Sequence, residues 1–466
     1  MPRSNRSLAS VLREFHDLGV SRVLVKELAL NDNSKNQIYI GRGFQTLNLI
    51  PVREVSPKEP TTNQKPINFK AKLDWTWLSD GQHVVAPHAQ LILYPKYPEV
   101  RISGFLRDCP PDSVASSLMN GRAKGRVLFV GIANRTKIYA CVGGRKSLLV
   151  SDWKTFKRKA TDWRVVSKSV RNWSLVGEPL KSGRARFYRL ELIDGRLEAG
   201  CIRGILEKLQ EVHRTGWHDA KRLTPSGTVV PSPGRNSGGN TLEYLFGIAS
   251  NPSKEPDYRG WELKNLDAQT ARLTLMTPEP QDGLYKHRGV AEFVRRFGYP
   301  DENNTRRRNF ASPHIISKRN TTTKLTLTIE GYSRRTKKIT SNDGGIVLKT
   351  DRGVIAAKWR FTDLMFDWNR KHSRVVFVPS SSAVFAGRKY NFLQNVAVAE
   401  QSDFLLFLEA LSDRKVYFDP GTNVVYTRGK PKVHPRSQFR IKLENLDSLY
   451  RTFNWVSVCE PIKLRR

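Results

Sequence analysis

Short runs in which apolar and polar residues alternate dominate the chain between residues 20 and 175, and this period of two predicts β-strands. The first run, Val20–Leu30, ends in the turn signal Asn31-Asp32-Asn33. Further runs of this kind are Gln37–Ile40, Ile67–Trp77, Gln90–Tyr94, Val100–Leu106, Arg126–Ile132, Lys137–Val142 and Ser147–Val150. A single helix fits best, near Pro111–Asn120. Many short strands at close spacing predict a β-barrel or pseudobarrel.

Beyond about residue 200, helical and strand patterns alternate. Ile202–His213 has apolar residues at helical spacing, and Gly239–Gly247 begins and ends like a short helix. Other helices are expected at Gly289–Phe297 and Gln401–Leu411. Strands are expected at Ala271–Met276, Lys324–Gly331, Ile346–Lys349, Gly353–Arg360, Arg374–Val378, Val416–Phe418 and Phe439–Leu443. The fold class is therefore a multidomain α+β protein, with an N-terminal β-pseudobarrel and a C-terminal α/β domain.

Two stretches have the composition of linkers. Gly177–Ala185 is basic and loop-like, and Thr224–Gly239 is richer still in Pro, Gly and Ser. Composition alone favours the second as the boundary. We prefer the first, because Gly216–Arg222 belongs with the second half for the reason given below. The prediction is a first domain over residues 1–180, a linker over 181–198 and a second domain over 199–466, with Thr224–Gly239 as a flexible loop inside it.

The net charge of the chain limits the classes of molecule that it is expected to bind. The chain has 79 Lys and Arg against 43 Asp and Glu, a formal charge of +36, and such an excess is normally kept for a polyanion: ribosomal RNA, an anionic membrane surface or DNA. A hydrophobic content of 39% argues against a disordered basic tail. No stretch approaches the roughly 18 apolar residues of a membrane span, and no apolar signal region follows the N-terminus. We therefore expect a folded cytoplasmic protein.

The run from Pro256 to Lys264 carries the strongest chemical signal. If it is extended, Glu262 and Lys264 project to one side while Trp261 and Leu263 face the core. Asp257 lies close enough upstream to share a cation with Glu262. Two carboxylates suit Mg²⁺, and a lysine beside them can orient an attacking water or offset phosphate charge. The alternative is ordinary: Glu-x-Lys on an exposed strand is usually a solvated face, and Pro-Asp opens many turns.

Glu243, fourteen residues before Asp257, has two interpretations. It is a third acid carried by a helix next to the strand, or it closes a capping box with Asn240 as the N-cap. Both stay open. In the first case Asp257, Glu262 and the Leu263 carbonyl hold Mg²⁺, and Glu243 assists them.

Clusters of basic and amide side chains are candidate DNA contacts. In the second half these are His218, Lys221 and Arg222, and the basic loop residues Lys432, His434 and Arg436 with Arg440 on the following strand. In the first half they form two arms: Lys26, Asn31, Asp32, Asn33, Lys35 and Gln37, then Arg101, Ser103 and Arg107. Such groups read base edges in the major groove and contact phosphates. Solvated helix ends, hairpin turns and idle charged loops are the alternatives for each cluster.

Several of these pieces together resemble the MvaI/BcnI group of restriction endonucleases. The resemblance lies in Gly216–Arg222, in the Asn240–Leu245 helix with Glu243, in Asp257…Glu262-Leu263-Lys264, and in Leu273-Thr274-Leu275. It extends over about residues 200–466. It implies a PD-(D/E)xK nuclease related to the MutH nickase, with Mg²⁺ as cofactor and short duplex DNA sites as substrate. By position, Asp257, Glu262 and Lys264 are then catalytic, with Glu243 as an accessory acid.

The first half is similar, more weakly, to the EcoRII-type effector domain, a DNA-binding pseudobarrel. The similarity rests on Lys26…Asn31-Asp32…Gln37 and on Arg101-Ile102-Ser103. Together the two resemblances imply a monomeric type IIE enzyme of a prokaryotic cytoplasm, which cuts a CCWGG-like site and binds a second copy of it. A non-catalytic DNA-binding regulator and a MutH-like repair nickase remain as alternatives.

Overall fold

The computed structural model describes residues 6–30, 36–42, 50–57, 68–79, 81–95, 99–110, 113–133, 136–159, 173–175, 180–182, 185–192, 202–234, 237–249, 257–258, 261–267, 271–427 and 430–460. These residues divide into two compact units. The first is built from the described residues of 1–56 and 68–208, and the second from Pro57 and the described residues of 209–466. The helix Ile202–Thr215 spans this division and is described with the second unit. None of the described helices has both the length and the apolar content needed to cross a bilayer.

Strands make up most of the first unit. They are β1 Val20–Leu28, β2 Ile38–Arg42, β3 Val55–Pro57, β4 Phe69–Lys72, β5 Asp74–Ser79, β6 Gln82–Val85, β7 Gln90–Tyr94, β8 Glu99–Ser103, β9 Arg126–Ala133, β10 Lys137–Gly143, β11 Trp173–Leu175, β12 Leu180–Ser182 and β13 Ala185–Leu192. One sheet has the order β11-β13-β1-β9-β10-β5-β6, with β12 beside β13, and the other has the order β2-β8-β7-β4-β3. The strand-rich prediction is thus confirmed, whereas closure into a pseudobarrel stays a prediction.

Helices cover the long sheet of the first unit. They are α1 Leu8–Asp17, α2 Val114–Asn120 and α3 Leu148–Lys159. The side chain of Ser7 caps α1, whose residues Leu8, Val11, Leu12 and Phe15 are buried at helical spacing. They share one core cluster with β1, β9 and α3. The core therefore lies between the sheet and these helices.

Three expectations for this unit were wrong. Ser147–Val150 is not a strand: Ser147 precedes α3, and its hydroxyl accepts from the amide of Val150 at 3.3 Å. Four residues cannot distinguish the two periods, whereas Trp153 and Phe156, both buried, continue the helical stripe. Because α3 is a second helix between residues 20 and 175, the expectation of a single helix in this range is also wrong. In addition, Leu180–Ser182 pairs with β13 inside the stretch expected to be a loop, because β13 supplies a neighbour that composition does not reveal.

The second unit interleaves helices and strands, which confirms a mixed α/β half. Its helices are α4 Ile202–Thr215, α5 Gly238–Leu245, α6 Leu284–His287, α7 Val290–Phe297, α8 Phe361–Lys371 and α9 Phe404–Ser412, with a 3-10 helix over Leu443–Leu449. Its strands are β14 Trp217–Asp219, β15 Lys221–Leu223, β16 Val229–Pro231, β17 Glu262–Asp267, β18 Arg272–Met276, β19 Tyr299–Pro300, β20 Arg307–Phe310, β21 Thr326–Glu330, β22 Tyr332–Ser333, β23 Lys338–Ile339, β24 Gly345–Lys349, β25 Ile355–Arg360, β26 Arg374–Val384, β27 Arg388–Phe392, β28 Asn395–Ser402, β29 Val416–Phe418, β30 Thr422–Thr427, β31 Lys430–His434, β32 Phe439–Lys442 and β33 Tyr450–Ser457.

The long strand β26 is the axis of the main sheet in this unit. Its first half pairs in parallel with β17 on one side and antiparallel with β28 on the other. Its second half turns back into β27, and β14 and β33 extend the sheet beyond β27 and β28. Residues 375–378 are completely buried, as expected for a strand covered on both faces. Smaller sheets have the orders β18-β32-β29, β19-β20-β30-β31, β21-β24-β25, β15-β16 and β22-β23.

The stretch Thr224–Gly239 is more ordered than expected. Strand β16 pairs with β15 across a turn in which Thr224 and Thr228 exchange hydrogen bonds, and α5 begins at Gly238. The expected flexible loop is therefore a short hairpin followed by the start of a helix. Pro and Gly in this stretch mark the turn and the helix entry rather than a linker.

Gly238 is where α5 approaches β17 most closely. A Cβ on Gly238 would lie 2.3 Å from Nδ2 of Asn265 and 3.1 Å from the ring of Tyr390, whereas a Cβ on Gly239 would meet no atom within 4 Å. We predict that Gly238→Ala lowers the free energy of unfolding by about 1–2 kcal/mol through overpacking. The matched Gly239→Ala leaves it unchanged or raises it by up to about 1 kcal/mol through helix propensity. Urea unfolding measures both, and equal effects would contradict this packing.

Candidate active site

Strand β17 places Glu262 and Lys264 side by side, as the period of two predicts. Nζ of Lys264 donates to Oε1 of Glu262 at 2.9 Å. Trp261 and Leu263 project the other way and are buried. Glu262 is itself only 3% exposed, so the pair lies under covering elements and is not a solvated face.

Asp257 folds back beside this strand. Tyr258 and Trp261 exchange backbone hydrogen bonds just before β17. Oδ2 of Asp257 accepts from the amide of Leu263 at 3.0 Å. These contacts bring the first carboxylate next to Glu262 and to the Leu263 backbone.

Glu243 completes a crowded group of acids. It lies on α5, which packs against β17. Asn240 lies inside this helix, with its amide directed to the Ser232 hydroxyl at 3.3 Å, and the N-cap is Ser237. The capping-box interpretation, with Asn240 as the N-cap, is therefore wrong. The interpretation of Glu243 as an acid beside the strand fits, because it interacts electrostatically with Glu262 and Asp257.

Burial and mutual repulsion shift the titration of these groups. Burial, then the charges of Glu262 and Glu243, raises the pKa of Asp257 to about 7. Burial, then Glu262, also raises the pKa of Glu243. Burial alone would lower the pKa of Lys264, but the three carboxylates outweigh it and raise that pKa. The site therefore attracts cations strongly.

A second cation approaches from a helix that the sequence pattern did not reveal. Nζ of Lys371, at the end of α8, lies 3.9 Å from Oε1 of Glu262. The apolar positions of α8 are dense, and no flanking turn residue marks its start after β25. Lys371 is therefore a candidate functional residue that only the long-range packing identifies.

The acids retain unused capacity for a metal ion. Oε2 of Glu262 is buried and has no hydrogen-bond partner among the described residues. An unsatisfied buried carboxylate oxygen is costly unless a cation is bound there. No three acid, His or Cys side chains in the described parts of the chain are arranged to enclose an ion by themselves. Two carboxylates with a backbone carbonyl and water or substrate oxygens fit Mg²⁺ instead.

Behind the acids, His372 joins three elements. It caps α8, and its ring lies 3.0 Å through Nε2 from the Leu275 carbonyl and 3.1 Å through Nδ1 from the Tyr450 hydroxyl. The carbonyl only accepts, so Nε2 carries the proton and Tyr450 donates to Nδ1. Burial, then Lys264, lowers the pKa of His372 to about 3. The neutral ring therefore ties the end of α8, and with it Lys371, to β18 and β33.

The predicted DNA contacts of the second unit lie on strands. His218 is half-buried on β14, with Nε2 2.8 Å from the Val212 carbonyl. Lys221, on β15, lies 3.3 Å from Asp219, and the adjacent Arg222 is half-buried. All three sit near the start of the hairpin that leads into α5. In the chain, the rest of the hairpin therefore separates these three residues from the helix that carries Glu243.

The other basic cluster is not the loop we expected. Lys432 and His434 are exposed on β31, which pairs with β30, and Arg436 is exposed just after it. Arg440 differs, because Nη1 lies 2.8 Å from Oδ2 of Asp419 in a partly buried ion pair. The exposed side chains thus project from a hairpin, which holds them more rigidly than a loop.

In the first unit the structure places part of the predicted arms. Asn31, Asp32, Asn33 and Lys35 lie outside the described residues. Lys26 is buried, with its ammonium 4.8 Å from the ring centre of Phe187, and burial lowers its pKa to about 8. Arg101 donates to Gln37 at 3.3 Å and pairs with Glu99. Ser103 is half-buried, and Arg107 is exposed.

Removing the His372 ring tests its role in holding α8. We predict that His372→Ala lowers the free energy of unfolding by about 3 kcal/mol, because it leaves the Leu275 carbonyl and the Tyr450 hydroxyl unpaired and opens a cavity. Urea unfolding measures this loss. The exposed His434→Ala is the control and should stay within about 0.5 kcal/mol of the parent. A loss as small as that of the control would contradict the assigned contacts.

Comparison with known proteins shows which family the chain is similar to. The model of the MvaI/BcnI restriction endonuclease family matches residues 206–450. Among solved structures, the chain is similar to "Restriction endonuclease MvaI-cognate DNA substrate complex", with 17% identity and a TM-score of 0.42 over 55% of this chain and 97% of that one. "Restriction endonuclease MvaI in the absence of DNA" is similar over the same shares, with 15% identity and a TM-score of 0.30. No curated protein matches the chain. The family match covers more than half of the chain, which therefore belongs to the MvaI/BcnI restriction endonuclease family and is a site-specific deoxyribonuclease.

Proposed function

We propose that this protein is a type IIE restriction endonuclease that uses Mg²⁺ to cut a CCWGG-like site in double-stranded DNA. Restriction endonucleases of this family generally use divalent metal ions. The choice of Mg²⁺, the site and the effector behaviour are the proposal. We also propose that the protein is a monomer and acts in a prokaryotic cytoplasm. Its proposed domains are an effector domain over residues 1–180, a linker over 181–198 and a nuclease domain over 199–466.

Each residue around Glu262 has a role in the proposed chemistry. Asp257, Glu262 and the Leu263 carbonyl would hold the ion, which when bound would supply Lewis-acid chemistry at the scissile phosphate and at an attacking water. Lys264 would orient the attacking water or offset charge on a phosphate oxygen. Glu243 is the accessory acid. The unpaired, buried Oε2 of Glu262 carries this proposal, because no structural need explains it.

The DNA contacts divide between positioning and base recognition. Lys432 and His434 are exposed on β31, the edge strand of the four-stranded sheet, and Arg436 follows this strand, so these side chains are proposed to read base edges in the major groove. His218, Lys221 and Arg222, on β14 and β15, are proposed phosphate contacts. Arg440, on β32, is paired with Asp419, so its proposed role is to support the adjoining segment.

The effector role of the first unit rests on resemblance and charge. Lys26, Asn31, Asp32, Asn33, Lys35 and Gln37 form one proposed arm, and Arg101, Ser103 and Arg107 the other. The buried position of Lys26 makes it a support for the first arm. We propose that this unit binds the second copy of the site.

Substitutions in the acid–lysine pair test the chemistry. We predict that Glu262→Gln and Lys264→Ala each reduce cleavage of a supercoiled plasmid by about a hundredfold or more, because each removes a group that stabilises the transition state. Lys442→Ala, at an exposed position on β32, is the control and should cleave normally. Retained cleavage by Lys264→Ala would show that the chemistry is misassigned. Stable open circles from the parent would instead favour a nickase, and an unchanged plasmid a regulator.

The raised pKa of Asp257 predicts a pH dependence. Below about pH 7 this carboxyl is protonated in the folded protein and binds metal poorly. At limiting Mg²⁺, kcat/KM should therefore rise with pH through about 7 and then level off. Saturating Mg²⁺ should move the rise to lower pH, because metal binding favours the ionised form. A flat profile between about pH 5.5 and 8 would contradict the role of Asp257.

Type IIE behaviour predicts activation by added DNA. Short duplexes that carry the site should speed cleavage of a plasmid with a single site, because they occupy the effector unit. Duplexes of the same length without the site are the control. No stimulation at any concentration of the specific duplex would remove the effector proposal.

A further inference from the structure

An exposed aromatic pair lies at one end of the main sheet of the second unit. Trp217 is 42% exposed, Phe385 55% and Val384 69%, and we call these three residues the apolar tip. Val384 ends β26, and the chain turns through Phe385, Ala386 and Gly387 into β27. Because these three exposed side chains are adjacent rather than scattered, the apolar tip is a candidate binding surface.

The apolar tip is held in a defined shape. The rings of Trp217 and Phe385 meet edge to face, with centroids 5.6 Å apart and planes at 86°. Ala386 has a left-handed backbone, with φ at 44°, and the Phe385 amide donates to the Gly387 carbonyl at 2.9 Å. Trp217 supports the turn from the neighbouring strand β14. The aromatic pair is therefore held in one orientation at the surface.

Strand register places Trp217 on the face that carries the acids. Glu262 is opposite Val375 on β26, while Trp217 is opposite Asn391, which is opposite Ser381. Residues 375 and 381 have the same parity, so their side chains share a face. Six residues of strand separate these two positions by about 20 Å, and Phe385, in the turn after β26, contacts Trp217 at this end of the strand.

Positive charge surrounds the apolar tip. Arg388 is opposite Val384 and Lys389 is opposite Ala383, while Arg214 and Lys221 lie within four residues of Trp217 in the chain. Lys221 and Lys389 both lie close to one acid, Asp219, at 3.3 and 2.7 Å. The rim thus carries more basic than acidic side chains, which attracts a polyanion and opposes association with a second copy of this chain.

We propose that the apolar tip is a wedge that enters the DNA duplex flanking the cleaved site. The basic rim neutralises phosphates, and Phe385, braced by Trp217, inserts at a base step from the minor groove, as apolar side chains do in proteins that kink DNA. With the duplex running along β26 at about 3.4 Å per base pair, a separation of about 20 Å or more corresponds to about six or more base pairs from the scissile phosphate. The contact therefore lies outside a five-base-pair site. This inference rests on the duplex substrate of the proposed function.

Binding without divalent metal separates the wedge from catalysis. The variants are Phe385→Ala and Trp217→Ala, with Trp455→Ala as control, since Trp455 is 57% exposed on β33 of the same sheet. Fluorescence anisotropy compares duplexes with flanks of about 4 and about 12 base pairs. The parent and Trp455→Ala should bind the long duplex about tenfold more tightly, which corresponds to about 1.4 kcal/mol. Phe385→Ala and Trp217→Ala should lose most of that advantage.

A base analogue reports insertion directly. With 2-aminopurine placed 6–10 base pairs from the cut, the parent and Trp455→Ala should increase its fluorescence and Phe385→Ala should not. Flank-independent affinity of the parent, an equal loss in Trp455→Ala, or no fluorescence increase would overturn the wedge. So would a parent dimer that Phe385→Ala dissociates in analytical ultracentrifugation. Cleavage with Mg²⁺ is scored separately, so an inactive parent that retains the flank effect would reject the proposed function and keep the wedge.

Discussion

The active region depends on one buried ion pair, between Glu262 and Lys264. A carboxylate that is 3% exposed, with Asp257 and Glu243 interacting with it, would be unstable without cations. Lys264 and Lys371 supply two positive charges on one oxygen of Glu262, and the other oxygen is left unpaired. A fold selected for stability alone would replace this arrangement with apolar residues. A divalent ion and a phosphate, bound together by these carboxylates and lysines, explain the arrangement.

The surrounding fold positions this pair from several directions. Strand β26 pairs with β17 and fixes the orientation of Glu262 and Lys264, while the backbone pairing of Tyr258 with Trp261 holds Asp257 beside them. Helix α5 brings Glu243 close because Gly238 has no side chain. His372 anchors the end of α8 and thereby Lys371. Each of these supports comes from a different part of the chain.

The sequence predicted what depends on local periodicity. Glu262 and Lys264 fall on one face because they are two residues apart in a strand, and α4 follows from its apolar stripe. It failed where a neighbour distant in sequence decides. Ser147–Val150 became helical through contacts of Trp153 and Phe156, and Lys371 was missed because α8 is defined by its packing. The sequence suggested Asn240 as an N-cap. In the structure its side-chain amide donates a hydrogen bond to the Ser232 hydroxyl, and the helix starts earlier, at Gly238.

Whether Glu262 binds a divalent ion in the folded protein can be measured directly. Isothermal titration calorimetry with Mg²⁺ at about pH 8, where Asp257 is ionised, should show binding to the parent that Glu262→Gln abolishes. The Glu444→Gln variant, altered at an exposed acid near Lys442, should bind as the parent does. Equal binding by Glu262→Gln and the parent, or none by the parent, would contradict the account.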